Sequence, residues 1–300
     1  MKTKRNVSVG ISAYNEENTI KEVLEGILAQ QQEGWKLTEI RLYCDGCTDE
    51  TAAIARSVKN KRITVIDDKK RKGKTSRLNE LFRAFKGDIL VMFDGDIELM
   101  NHEVITNLIA PFAQKLVMLV GGNSSPFPPK TFVEKAVNTT FEIFYASRKE
   151  VRGGNNIFGC TGSIWAVRRS FAKMNPFPKI ISEDAYLYLL CIKQGFQFRY
   201  VDTAKVYYQL PKTFRDYLKQ IIRSNPGAVD SELHAYFGDL ATRELTRPSS
   251  FYISQVFRQF LKNPLGTGII VFMNAIVLPL NSFIWKIYRL DWFTAPTTHS

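Results

Sequence analysis

Two aspartates around a glycine, Asp94-Gly95-Asp96, follow an almost wholly apolar run from Asp88 to Phe93. Carboxylates exposed on a tight turn at a strand terminus form a hard oxygen site. Such a site suits Mg2+ or Mn2+ and leaves coordination positions open for phosphate oxygens; the same residues also make an ordinary Asp-Gly turn. Asp45 stands at the end of another β-rich run, in Cys44-Asp45-Gly46-Cys47-Thr48. A carboxylate there can accept from the imide N–H of a uracil ring, or it can belong to a plain turn in which Thr48 caps the next helix. Tyr14 offers a face for a base or simple rim packing. Lys72 and Gly73, within the basic run from Lys69 to Lys74, offer charge and close backbone approach to phosphates, or a solvated loop. Ser182-Glu183-Asp184 opens a helix, whose dipole favours an anion; Asp184 is either part of a plain helix start or a general base for an acceptor hydroxyl. Cys44 and Cys47 have redox or zinc spacing, but no second Cys pair or Cys/His pair completes a metal site.

The elements that must carry these residues alternate. Val7 to Ala13, Glu39 to Tyr43, Ile63 to Ile66 and Asp88 to Phe93 read as strands. Thr19 to Ala29, Thr51 to Val58 and Thr75 to Phe85 read as helices, the first with Ile20, Val23, Leu24, Ile27 and Leu28 at helical spacing. Strand–helix alternation predicts a parallel sheet covered on both faces. Ligands bind such sheets beyond the carboxyl ends of the strands, where Tyr14, Asp45 and Asp94 all fall. Beyond Gly121 the pattern changes to a proline-rich loop (124–129), a helix reaching Lys149 and a glycine-rich stretch (153–162). A strand (164–168), a helix (184–194), an extended run (198–206) and a basic amphipathic helix (214–223) follow.

The chain has 300 residues, 45% of them hydrophobic, and a formal net charge of +12. This bounds it to a globular class with an acidic partner, whether nucleic acid, anionic lipid or nucleotide diphosphate. No docking motif with stacking aromatics supports nucleic acid. Free thiols and the absence of a signal-like leader predict a reducing, cytoplasmic location. Asn263 to Trp285 contains no charged residue and is long enough to interact with a bilayer, by spanning it, re-entering it or lying on it. Basic flanks and the aromatics Phe283, Trp285, Tyr288 and Trp292 favour that over a buried helix.

Taken in order, these stretches resemble the family 2 glycosyltransferases. The matching pieces are Val9 to Glu17, Asp45 to Thr51, Lys72-Gly73-Lys74, Asp94-Gly95-Asp96 and Ser182-Glu183-Asp184, with Gly159 to Ser163 similar to the acceptor-side loop and Gln220-Ile221-Ile222-Arg223 to a Gln-x-x-Arg signature. The resemblance implies a GT-A fold, a mixed and mostly parallel sheet flanked by helices. It implies a catalytic domain over 1–228 and a C-terminal helical region over 229–300, with a candidate membrane segment at 263–285. It also implies an inverting enzyme using a nucleotide-sugar, a UDP-sugar above others, and Mg2+ or Mn2+. By the same resemblance Ala13, Tyr14, Glu16, Asp45, Lys72, Asp94, Gln220 and Arg223 hold the nucleotide and Asp96 the metal. Asp184 is the base, and Gly162, Ser163 and Glu183 face the acceptor. That acceptor is expected to be lipid-linked or a glycan at the cytoplasmic membrane face. Ser224 replaces the tryptophan that ends the signature in processive synthases, and there is one candidate membrane segment where polymer-extruding synthases carry several, which argues for single addition or for a synthase lacking its own pore. The competing reading is a degenerate domain serving as a nucleotide-sugar-binding scaffold. A sugar-nucleotide pyrophosphorylase would want a glycine-rich loop where Ala13-Tyr14-Asn15-Glu16-Glu17 stands.

Overall fold

β1 (Arg5–Ala13) buries Val7, Val9 and Ile11 completely and lies between two parallel neighbours, β2 (Trp35–Asp45) and β4 (Ile89–Asp94). Strands covered on both faces read as continuous apolar runs, and Ile89-Leu90-Val91-Met92-Phe93 is one. β3 (Ile63–Asp68) adds a further parallel strand outside β2. The structure, a computed structural model, describes residues 4–224 and 226–287, and of residues 226 and 280–287 the backbone alone.

Three crossover helices link these strands: α1 (Ile20–Leu28), α2 (Thr51–Ser57) and α3 (Lys74–Ala84). All lie within a residue or two of their expected spans. Thr48 does not cap α2, however. Glu50 holds that position without a side-chain bond, and the Thr48 hydroxyl and N–H are taken by the Asn15 side chain. Past β4 the sheet turns antiparallel. β7 (Ile164–Arg168) pairs antiparallel with β4 and with β6 (Val117–Pro126), and β8 (Gln197–Tyr208) with the short β5 (Ile97–Leu99). The described residues thus form an eight-stranded mixed sheet in the order β3-β2-β1-β4-β7-β6-β8-β5. Residues 124–126, expected in a loop, are the end of β6. α4 (Val104–Ile109), α6 (Arg169–Met174) and α7 (Glu183–Lys193) complete this unit, which comprises residues 1–125 and 154–208.

The second unit comprises residues 126–153 and 209–300, so the stretches 126–153 and 209–228 group with the C-terminal helices. It contains α5 (Phe132–Glu150), α8 (Phe214–Ser224), α9 (Pro226–Phe237), α10 (Asp239–Leu245), α11 (Ser249–Lys262) and α12 (Pro264–Ile287). α5 starts at a capping box: Glu134 N–H donates to Thr131 Oγ1 at 3.2 Å, and the Glu134 carboxylate accepts the Thr131 N–H at 2.7 Å. Its far side is held by polar contacts. Tyr217 Oη accepts from Thr140 and donates to Asn274 Oδ1, and Thr139 meets Thr267. Among the described residues no helix is long and apolar enough to cross a membrane. The side chains of Phe283, Trp285, Tyr288 and Trp292, the aromatics of the candidate membrane segment and its flank, lie outside the described residues.

Candidate active site

Parallel register aligns the ends of three strands: Ser12 stands beside both Tyr43 and Asp94, and Ala13 beside Cys44. The turn after β1 is then tied to the turns after β2 and β4. Asn15 takes a left-handed φ of 58°, which Asn tolerates better than most residues, and clasps Thr48 through both side-chain atoms. Glu16 is buried, and its N–H donates to Thr51 Oγ1 at 2.7 Å. Its side chain lies over Gly95 so closely that a Cβ there would fall 2.9 Å from Glu16 Cγ. Thr19 Oγ1 donates to the Gly95 carbonyl at 2.8 Å. Tyr14 is half-buried, with the Arg71 guanidinium 3.8 Å from its ring centroid.

Asp45 is 5% exposed and organises the loop before α3. Its Oδ1 accepts from Lys72 N–H at 2.8 Å and Arg77 Nε at 2.7 Å, and its Oδ2 accepts from Gly73 N–H at 2.8 Å. A carboxylate has about four acceptor sites, so one on Oδ2 is left after these three bonds. Arg77, almost wholly buried, also grips Asp68 and Glu80. The ammonium of Lys72 turns to Asp68 and Glu80, each at 3.0 Å, and the side chain is 42% exposed. It is the Lys72 backbone that faces Asp45.

Lys74, two residues on, enters an acidic cluster. Its Nζ lies 3.1 Å from Asp94 Oδ1 and 2.8 Å from Glu183 Oε1. Burial works against its charge, yet these carboxylates hold the ammonium well above its ordinary pKa. Burial raises Asp94 to about 6, against the pull of Lys74. Asp184 is likewise raised, first by burial and then by the Glu183 charge beside it. Asp184 Oδ1 accepts from Ser182 Oγ and from Ala185 N–H, both at 2.8 Å. Asp184 Oδ2 makes no hydrogen bond among the described residues. Gly162 covers the cluster: a Cβ on it would lie 3.0 Å from Lys74 Nζ, 3.6 Å from Glu183 Oε1 and 3.9 Å from Asp184 Oδ2. Ser163 is pinned alongside, its carbonyl accepting Asp94 N–H at 3.2 Å.

Ala13, Tyr14, Glu16, Asp45, Asp94, Asp96, Gly162, Ser163, Glu183 and Asp184 therefore lie on neighbouring strand ends and loops of the first unit. Gln220 and Arg223 are on α8 of the second. Neither Lys74 nor Arg77 stands out by residue type alone. The signal for Lys74 is its place in Lys72-Gly73-Lys74, and that for Arg77 is its position three residues further along the same helix. Asp96 is half-buried yet has no hydrogen bond or salt bridge among the described residues. Among those residues no three His, Cys, Asp or Glu side chains gather into a group fit to enclose a metal. Mg2+ needs only one or two carboxylates when substrate phosphates complete its shell, so Asp96 with Asp94 beside it fits such an ion.

The Escherichia coli protein UDP-Glc:alpha-D-GlcNAc-diphosphoundecaprenol beta-1,3-glucosyltransferase WfaP is 26% identical over 206 residues, covering 68% of this chain and 77% of that protein. The poly-beta-1,6-N-acetyl-D-glucosamine synthase of Staphylococcus aureus strain MSSA476 is 22% identical over 241 residues, 78% of this chain and 57% of the synthase. Among solved structures, the mannosyltransferase PcManGT from Pyrobaculum calidifontis, in complex with GDP-Man and Mn2+, superposes with a TM-score of 0.62 at 15% identity, covering 96% of this chain and 88% of that one. That likeness establishes the GT-A fold. The sequence profile described as Glycosyl transferase family 2 matches residues 8–174, which hold the three aligned strand ends with Asp45, Lys74, Asp94 and Asp96; the chain belongs to glycosyl transferase family 2 and is a glycosyltransferase.

Proposed function

We propose that this glycosyltransferase moves a sugar from a UDP-sugar to a hydroxyl of a lipid-linked or polysaccharide acceptor, inverting the anomeric carbon, at the cytoplasmic face of the membrane. The observation that carries the chemistry is Asp184, one oxygen fixed by two donors and the other unbonded beside Gly162. A carboxylate held this way is oriented to take a proton, and its raised pKa makes it a stronger base than an ordinary aspartate. Named relatives support the substrate classes: WfaP is named for a UDP-Glc donor and a diphosphoundecaprenol acceptor, and the staphylococcal synthase for a polysaccharide.

The side chains divide the work. Asp45 offers its remaining acceptor site to a base, and Tyr14 offers its ring. Lys74 holds Asp94 and Glu183 in place while the Asp184 oxygen receives the acceptor proton. Ser163 and Glu183 bound the acceptor side, and Gly162 admits it by having no side chain. A divalent cation, Mg2+ or Mn2+, held by Asp96 with Asp94 would supply Lewis-acid neutralisation of the departing diphosphate. Gln220 and Arg223 join the proposal as diphosphate partners on the Gln-x-x-Arg resemblance alone.

Calorimetric titration with UDP, with and without Mn2+, tests the donor side: binding should require the metal and vanish in Asp96→Ala. On the acceptor side, Asp184→Asn should keep metal-dependent UDP binding and lose about 10²- to 10⁴-fold in transfer rate. Wild-type turnover by that variant would remove Asp184 from the role of base.

A further inference from the structure

α11 and α12 are inside out. On α11, Gln255 and Gln259 are 3% and 7% exposed, while Ile253, Phe257 and Leu261 are 69%, 62% and 70% exposed. α12 repeats the inversion: Thr267 is fully buried and Leu265 and Phe272 are 65% and 66% exposed. A helix in water turns its apolar stripe inward and its polar face out. Among the described residues of these two helices the buried side chains are polar or small apart from Ile270, and the helices meet through polar atoms. Gln255 Nε2 donates to both Glu150 oxygens at 3.2–3.3 Å, Thr139 and Thr267 pair, and Tyr217 donates to Asn274. Polar contacts between helices with apolar residues outward are the arrangement that hydrocarbon surroundings favour.

Charge says what covers the face. Ser249 to Ile287 contains no aspartate or glutamate, whereas Arg258, Lys262 and Lys286 are present. Arg258, ion-paired with Glu150, follows Phe257 in the chain, and the exposed Lys262 follows Leu261 at the C-terminal end of α11. Two copies joined symmetrically through this face would find no carboxylate on α11 or α12 to pair with Lys262, and the Glu150 carboxylate beside the face is already paired with Arg258 at 3.1 Å. Anionic lipid headgroups meet the cations, and acyl chains meet the phenylalanines. An apolar stripe exposed beside basic residues suits a helix lying in the plane of the interface.

We infer that the outward faces of α11 and α12 dock this glycosyltransferase on the surface of an anionic lipid bilayer. The inference deepens the membrane part of the proposed function and rests on that reading, but it is read without donor or acceptor. Full-length protein is floated with phosphatidylcholine vesicles, with and without phosphatidylglycerol. Wild type should float with the mixed vesicles, more weakly with pure phosphatidylcholine, and less as salt rises. Phe257→Ser with Leu261→Ser, both exposed and so compatible with the fold, should lose at least about tenfold in partitioning. Lys262→Gln should lose the preference for anionic vesicles while keeping the thermal transition of the wild type. Asp184→Asn, dead in transfer, should float as the wild type does, which separates failure of docking from failure of the catalytic reading. Undiminished flotation of the double serine variant would overturn the inference. So would a wild type that never floats, or one that forms a dimer dissolved by the serine pair and ignores vesicles.

Discussion

Lys74 lies between Asp94 and Glu183, with Asp184 close by, so one cation balances three carboxylates. Lys74→Met should cost about a hundredfold in kcat/KM. It should also move the acid limb of the pH–rate profile upward, because the carboxylates then repel one another uncompensated. Asp94 makes a separate prediction about the metal-free protein. Its folded pKa of about 6 lies above the ordinary value of 3.8, so the folded state binds this proton more tightly than the unfolded chain. The contribution to stability is full below pH 4 and is lost as pH rises through about 6; thermal unfolding across that window should show the slope, and Asp94→Asn should flatten it. The Cys47 thiol is drawn down to about 7, chiefly by hydrogen bonding from Cys44, while burial pushes Cys160 and Cys191 up. Iodoacetamide at neutral pH should therefore label Cys47 first, as mass spectrometry would read. At this scale the sequence is legible where chemistry is local. Asp94-Gly95-Asp96 and Ser182-Glu183-Asp184 each announce themselves within three residues. Lys72 and Lys74 do not, since neighbours of one type differ only in which way the fold turns them.

α3 does more than cross the sheet. Through Arg77 it fastens Asp45 and Asp68 at the ends of β2 and β3, and Asp45 in turn fixes the backbone of Lys72 and Gly73. Arg77→Met strands a buried carboxylate, a loss of about 3–5 kcal/mol, visible as an earlier midpoint in urea. The capping box of α5 is a smaller device; Thr131→Ala should cost about 1 kcal/mol, measured the same way. The parallel half of the sheet is readable because apolar runs, turns and amphipathic helices alternate there at regular spacing. β6 is only partly so. Its second half, Gly121-Gly122-Asn123-Ser124-Ser125-Pro126, has poor strand propensity and is extended because neighbouring strands and loops bury it. Thr48 misleads for a related reason, its hydroxyl being claimed by Asn15, far away along the chain.

The chain as a whole carries a surplus of positive charge and an apolar C-terminal run, and those two features alone point toward a membrane. They do not reveal which residues of that run face outward, because α11 is hidden behind its glutamines: a helix with Gln255 and Gln259 inward breaks the rule by which amphipathic patterns are read. Nor do they reveal that the chain leaves the first unit after Ser125 and returns at Gly154, so that each unit is built from two separate stretches. One consequence concerns synthesis. β4 finds its antiparallel partner only in β7, and some seventy residues separate Asp94 from Ile164. At roughly 5–20 residues per second, a ribosome exposes the bare edge Ile89-Leu90-Val91-Met92-Phe93 for about 4–14 seconds before β7 exists. A nascent chain stalled in that interval presents an unpaired, uncharged strand edge, so rare codons placed between residues 95 and 160 should raise its demand for chaperones and its loss to aggregates, while the same codons after residue 210 should not.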